Sequence, residues 1–150
     1  MTRDSTFILL VEDNQDDIDL TIRALRMHNL ANEVKIVRDG AEALDFLWGR
    51  GSYRDRDPGQ MPQLVLLDIN LPKLSGLEVL RQVRANEVTK LLPVVMLTTS
   101  KQDRDVLDSY VNGANSYVQK PVSFADFTKA VRQLGIYWLL LNEVPWQSRS

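Results

Sequence analysis

Phe7-Ile8-Leu9-Leu10-Val11-Glu12-Asp13 is apolar for five residues and then stops on two carboxylates. A run without the in/out alternation of a half-solvated sheet is how a strand buried on both faces reads. It is too short for the core of a signal peptide and far too short to span a bilayer. Four more short runs follow, at Glu33–Val37, Leu64–Leu67, Pro93–Leu97 and Ser116–Val118. The Leu64–Leu67 run also stops on a carboxylate, Asp68.

Helix-period segments lie between and after these runs. Asp16 to His28 places Ile18, Ile22 and Leu25 on one face, and Ala41 to Trp48 follows the turn signal Asp39-Gly40. Leu77 to Asn86 lines up Leu77, Leu80 and Val83 or Arg84 along one side, and Asp103 to Asn112 stops at Gly113. The last helix starts at Ser123 with Asp126 three residues on, an arrangement similar to a capping box. Five β-α repeats predict an α/β fold: a parallel sheet with helices on both faces and right-handed crossovers. They fit the flavodoxin-like doubly wound order 2-1-3-4-5, in which ligands bind beyond the carboxyl ends of strands 1 and 3. The connection from Gly49 to Gln63 holds three glycines and two prolines and reads as a surface loop, with Arg54-Asp55-Arg56-Asp57 as solvated charge.

The chain has 150 residues, 44% of them apolar and 25% charged, as in an ordinary single globular domain. There is no cysteine, which excludes disulfides, thiolate metal sites and cysteine nucleophiles. The lone histidine, His28, cannot build a multi-histidine metal site and suits a helix end better than catalysis. The formal net charge is −2, without the strong basic excess of a nucleic-acid footprint. These features point to a soluble, cytoplasmic chain with neither a nucleic-acid nor a membrane partner.

The predicted topology brings Glu12, Asp13 and Asp68 to one end of the sheet. Three carboxylates there would repel, and a hard divalent cation with oxygen ligands would relieve the repulsion; Mg²⁺ suits such a set. Thr98 ends the fourth strand and Lys120 follows the fifth, so a hydroxyl and an ammonium join the same end. A carboxylate nucleophile, a cation, a hydroxyl donor and an ammonium form a phosphoryl-transfer constellation, in which Asp68 attacks phosphorus and holds an acyl phosphate.

Read in order, Leu9-Leu10-Val11-Glu12-Asp13, Leu66-Leu67-Asp68-Ile69-Asn70-Leu71-Pro72 with Ser75-Gly76, Pro93-Val94-Val95-Met96-Leu97-Thr98 and Lys120-Pro121 resemble the receiver domain of two-component response regulators. The resemblance covers about residues 6–141 and leaves a short C-terminal extension to a single domain over 1–150. It implies that Asp68 accepts a phosphoryl group from the phosphohistidine of a sensor histidine kinase. It also implies that Asp13, Asp68 and the carbonyl of Asn70 ligate Mg²⁺, with Glu12 acting more often through water, and that Thr98 and Tyr117 form a switch pair. Partner binding would then change on the face of the fourth helix, fifth strand and fifth helix. The loop through Gly51-Ser52-Tyr53, the Leu97-Thr98-Thr99-Ser100 strand ending and the Trp138–Val144 tail are similar to those of single-domain regulators serving phytochrome-type histidine kinases.

Phe124, Phe127, Val131, Leu134, Trp138 and Leu141 form an apolar stripe expected to pack on the sheet. Ala130, Tyr137, Leu140 and Val144 form a second stripe, and Ile136 to Leu141 are apolar all round. A surface helix apolar on every side marks an interface, so a C2 homodimer through these residues is the expectation; a tail folded back on its own domain is the competing arrangement. Two other functions compete with the signalling switch. A Mg²⁺-dependent aspartyl-phosphate hydrolase would need a second carboxylate where Asn70 stands. A non-phosphorylated binding scaffold would leave the acidic end of the sheet unused.

Overall fold

The computed structural model describes residues 7–27, 33–57, 59–98, 103–120 and 122–133. Five parallel strands, β1 (Ile8–Val11), β2 (Val34–Val37), β3 (Leu64–Asp68), β4 (Val94–Thr98) and β5 (Ser116–Gln119), form one sheet in the order β2-β1-β3-β4-β5. The helices are α1 (Gln15–Met27), α2 (Gly40–Trp48), α3 (Gly76–Ala85), α4 (Asp103–Val111) and α5 (Phe124–Gln133). Within the described residues, class, strand order and element positions agree with the sequence reading, with ends displaced by a residue or so.

Alternation along the strands splits the interior into two cores. Phe7, Leu9, Val11, Val65, Leu67, Val94 and Met96 face one way and pack with Ala43, Leu44 and Leu47 of α2 and Val79, Leu80 and Val83 of α3. Ile8, Leu10, Leu64, Leu66, Val95 and Leu97 face the other way, toward Ile18 and Leu25 of α1 and Phe127, Ala130 and Val131 of α5. Every residue of β1, β3 and β4 is buried, as the unbroken apolar runs require of strands covered on both faces. In α5, Phe127 and Val131 of the expected stripe are fully covered and Phe124 is half-buried.

Register sets the site. Ile8 lies between Val34 and Leu64, and Val11 between Val37 and Leu67. Asp68 pairs with Leu97, and Thr98 with Gln119. Glu12, Asp68, Thr98 and Lys120 are therefore each at, or one residue past, a strand's carboxyl end.

Side-chain caps begin α2 and α5 where the sequence signals them, and Ser75, which the sequence reading left unmarked as a cap, begins α3. Glu42 N donates to Asp39 Oδ1 (2.7 Å), Glu78 N to Ser75 Oγ (3.2 Å) and Asp126 N to Ser123 Oγ (3.0 Å). The stop after α4 is as expected, with Gly113 in a left-handed conformation at φ 96°.

The Gly49–Gln63 connection differs from a solvated loop. It contains a 3₁₀ turn at Gly51–Tyr53. Tyr53 stacks edge-on against Phe46 at 5.1 Å, and its hydroxyl donates to Glu42 Oε2 at 2.5 Å. Arg56, expected in solvent, is half-buried with its guanidinium 4.1 Å from the Phe46 ring centroid, and it donates to the Asp57 and Gln60 carbonyls. The reason is local: Phe46 offers an open aromatic face, and a guanidinium covers such a face while keeping its hydrogen bonds.

Candidate functional site: an acidic rim around one lysine

Four side chains meet at the carboxyl ends of β1, β3 and β5. Lys120 Nζ is 2.5 Å from Glu12 Oε1, 2.8 Å from Asp17 Oδ2 and 3.4 Å from Asp68 Oδ2. The Lys120 and Glu12 side chains are 4% and 1% exposed, so this is a buried ion cluster rather than a surface pair. The main chain holds it: Lys120 N donates to the Thr98 carbonyl at 2.7 Å and Glu12 N to the Val37 carbonyl at 3.0 Å. Glu12 Oε2 accepts from Asn14 N, and Asp68 Oδ1 accepts from Asn70 N, both at 3.3 Å.

Carboxylate oxygens of Glu12, Asp13 and Asp68 lie within 4.8 Å of one another. Asp13 and Asn70 are exposed, which opens the rim to solvent on one side. Thr98 is fully buried at the end of β4, and Tyr117 is half-buried against the core shared with α2 and α3. The structure thus brings together Glu12, Asp13, Asp68 and Lys120, and ties Thr98 to Lys120 through the backbone.

The electrostatics are those of one cation among too many anions. Burial, helped by the Asp68 carboxylate, pushes Glu12 up to about 7 against the pull of Lys120. Burial by itself would lower the Lys120 ammonium, yet hydrogen bonds to Asp17 and Glu12 and the charges of Asp68 and Glu12 outweigh it and leave its pKa raised. Lys120 brings one ammonium to four carboxyl groups, those of Glu12, Asp13, Asp17 and Asp68. Clustered oxygen donors with this surplus of charge form a set that fits a hard divalent cation.

The approach of α3 shapes the rim from below. Gly76 N donates to the Ile69 carbonyl at 2.8 Å, and a Cβ at residue 76 would fall 2.0 Å from the Asp68 carbonyl oxygen. Only glycine allows that contact. Lys73, between them, has φ 68°, and Leu74 N donates across it to the Pro72 carbonyl at 2.8 Å, a strained three-residue turn.

Sequence reasoning missed Asp17. An acidic residue in a helix's first turn is ordinary, and the available signal was its position four residues after Asp13, on the side of α1 that faces the rim. It also placed Arg84 only as an alternative on an apolar side. Arg84 instead donates to the carbonyls of Gly113, Lys90 and Leu92 and to Asn115 Oδ1, tying the end of α3 to the turn after α4. Of the expected interface residues, Ala130 is 7% exposed within its own domain's core, because α5 turns that side to the sheet. Tyr137, Leu140 and Val144 lie outside the described residues, as do His28, Thr99, Ser100, Pro121 and Leu134 to Leu141 of the C-terminal stripe.

Residues 8–132 match the response regulator receiver domain family, and the chain belongs to that family. Within it, the chain is similar to bacteriophytochrome response regulators. It is 51% identical to the bacteriophytochrome response regulator RtBRR, with a TM-score of 0.81 over 95% of this chain and 85% of that one. It is 52% identical to AtBRR, with a TM-score of 0.80 over 91% and 97%. The Mn²⁺-bound form of response regulator Rcp1 superimposes with a TM-score of 0.75 at 39% identity, over 93% of this chain and 98% of that one. In sequence, Rcp1 of Synechocystis sp. is 40% identical over 138 residues, 92% of each chain. The probable methanogenesis regulatory protein FilR2 of Methanothrix harundinacea is 40% identical over 142 residues, 95% of this chain and 89% of that protein. Among the described residues no helix is long and apolar enough to cross a membrane.

Proposed function

We propose that this chain is a stand-alone, cytoplasmic phosphorylation switch whose acceptor is Asp68 and whose donor is the phosphohistidine of a sensor histidine kinase of the phytochrome type. The convergence of Lys120 with Glu12 and Asp68 at the end of the sheet carries the reading. Similarity to RtBRR, AtBRR and Rcp1 supports the kind of donor.

In the transfer, an Asp68 carboxylate oxygen bonds to phosphorus as the bond from phosphorus to the histidine nitrogen breaks, leaving an acyl phosphate on Asp68 and a neutral imidazole once that nitrogen takes a proton. Lys120 donates to a phosphoryl oxygen, and the Thr98 hydroxyl donates to another. Mg²⁺ held by Asp13, Asp68, the Asn70 carbonyl and, directly or through water, Glu12 would neutralise charge on the transferring oxygens. The chain thereby assists its own phosphorylation and dephosphorylation. Movement of Thr98 toward the phosphoryl group draws Tyr117 inward and alters the α4–β5–α5 face, where a partner protein binds. The apolar C-terminal residues, with Tyr137, Leu140 and Val144, are the proposed homodimer contact.

Incubation with acetyl phosphate and Mg²⁺ followed by intact mass tests the central claim. One added phosphoryl group in the wild type and none in Asp68→Asn is expected; no added mass in the wild type refutes it. Steady turnover of a phosphomonoester would favour a hydrolase instead. Sedimentation that shows only monomer, with and without a phosphoryl mimic, would remove the dimer.

A further inference from the structure

The Lys120 ammonium has three hydrogens, and three carboxylates take them. They do not share it evenly. Glu12 and Asp17 hold it at 2.5 and 2.8 Å, whereas Asp68 is at 3.4 Å, so the lysine leans away from the carboxylate it would have to serve. Glu12 belongs to the triad that converges for a cation. Asp17 does not, and the transfer derived above gives it no role.

Asp17 is nonetheless held in place. Its backbone N–H donates to Asn14 Oδ1 at 3.1 Å, and its carbonyl accepts from the hydroxyl of the buried Thr21 at 2.8 Å. Its carboxylate reaches Lys120 across 103 residues of sequence. Lys120 can strengthen its bond to Asp68, or make one to a group on Asp68, only by giving up one of its present partners.

We infer that Asp17 is a positioning residue that parks the Lys120 ammonium away from Asp68 in the resting protein and competes with the incoming phosphoryl group for it. Asp17 thereby sets how readily Asp68 is phosphorylated. The inference rests on Asp68 being the phosphoacceptor. With Asp17 neutralised, Lys120 shifts toward Asp68, and a negatively charged donor meets one carboxylate fewer.

The experiment measures the initial rate of phosphorylation by acetyl phosphate at fixed Mg²⁺ for the wild type, Asp17→Asn, Asp17→Glu and Asp16→Asn. Asp16 is exposed on the same turn, so its variant removes the same charge without the lysine contact. Asp17→Asn should react faster by on the order of tenfold, the scale of one weakened charge-assisted hydrogen bond. Asp17→Glu, which keeps the charge, should stay near wild type, and so should Asp16→Asn. In the absence of donor, the Lys120 ammonium ¹H–¹⁵N resonance should shift in Asp17→Asn and stay in place in Asp16→Asn, a signature that a merely structural role would not give. If Asp17→Asn does not fold, Asp17→Ser carries the same comparison. An unchanged rate in Asp17→Asn, or one matched by Asp16→Asn, with the wild type phosphorylated normally, overturns this inference alone. A wild type that takes no phosphoryl group overturns the phosphoacceptor reading and this inference with it.

Discussion

Gly76 sits so close to Asp68 that a methyl group on its Cα would lie 2.0 Å from the Asp68 carbonyl oxygen. The obstacle is backbone, which cannot swing aside as a flexible side chain can. Gly76→Ala should therefore push α3 away from β3 and cost about 3 kcal/mol. Urea unfolding checks the stability. Acetyl phosphate labelling of Asp68 should fall with it, because the same movement displaces the turn that carries Asn70.

Asp68 adds its charge to a rim that already holds more anions than cations. Asp68→Asn removes one of them, leaves the Glu12–Lys120 pair in place and should raise the melting temperature while abolishing phosphorylation. The expected gain is about 1 kcal/mol, and a thermal melt of the two proteins without divalent cation reads it directly.

The raised pKa of Glu12 has a definite sign. In the folded protein Glu12 holds its proton to about 7, against an ordinary 4.5 in the unfolded chain, so between these values the folded state binds more protons than the unfolded one. This contribution to stability is complete below about 4.5 and is lost as pH rises through about 7. Denaturant midpoints measured across that window should fall, and Glu12→Gln should flatten the slope. Divalent cation affinity should run the opposite way and weaken below about 7, since a proton and a cation compete for the same carboxylate. Calorimetric titration at two pH values tests that.

Arg84 satisfies three backbone carbonyls and a side-chain oxygen between α3, β4 and the turn after α4. Arg84→Ala should cost about 2–4 kcal/mol, because partly buried acceptors lose a charged donor. Arg84→Lys should rescue little of this, since an ammonium cannot copy the spread of a guanidinium. Amide hydrogen exchange should rise at Ala114 and Asn115 first.

Much of the scaffold was legible because a doubly covered parallel sheet writes itself as unbroken apolar runs, and Phe7–Val11, Leu64–Leu67 and Pro93–Leu97 are of that kind. Asp39 and Ser123 announced their helices because an N-terminal cap is a local interaction, settled within three residues. The rim was legible in part for a related reason: once strand order is known, residues that end neighbouring strands must be neighbours. Asp17, Arg84 and Arg56 were not, because each acquires its meaning from a distant or three-dimensional partner. For Asp17 that is a lysine at position 120, for Arg84 the carbonyls of two loops, and for Arg56 the face of Phe46. Charged residues look alike in a sequence until such partners are placed.

Glu12, Asp13, Asp68 and Lys120 cluster at one pole, whereas the Gly49–Gln63 connection runs from the end of α2 to the start of β3 at the opposite pole. A single-residue insertion inside β3 would invert every side chain beyond it and turn Asp68 away from Lys120. An epitope or fluorophore grafted beside the exposed Gly59 meets no such constraint. The fold thus separates a pole where chain length is counted residue by residue from one where side-chain ties such as Tyr53 to Glu42 and Arg56 to Phe46 hold the chain, and a reporter at that second pole rides far from the acidic rim.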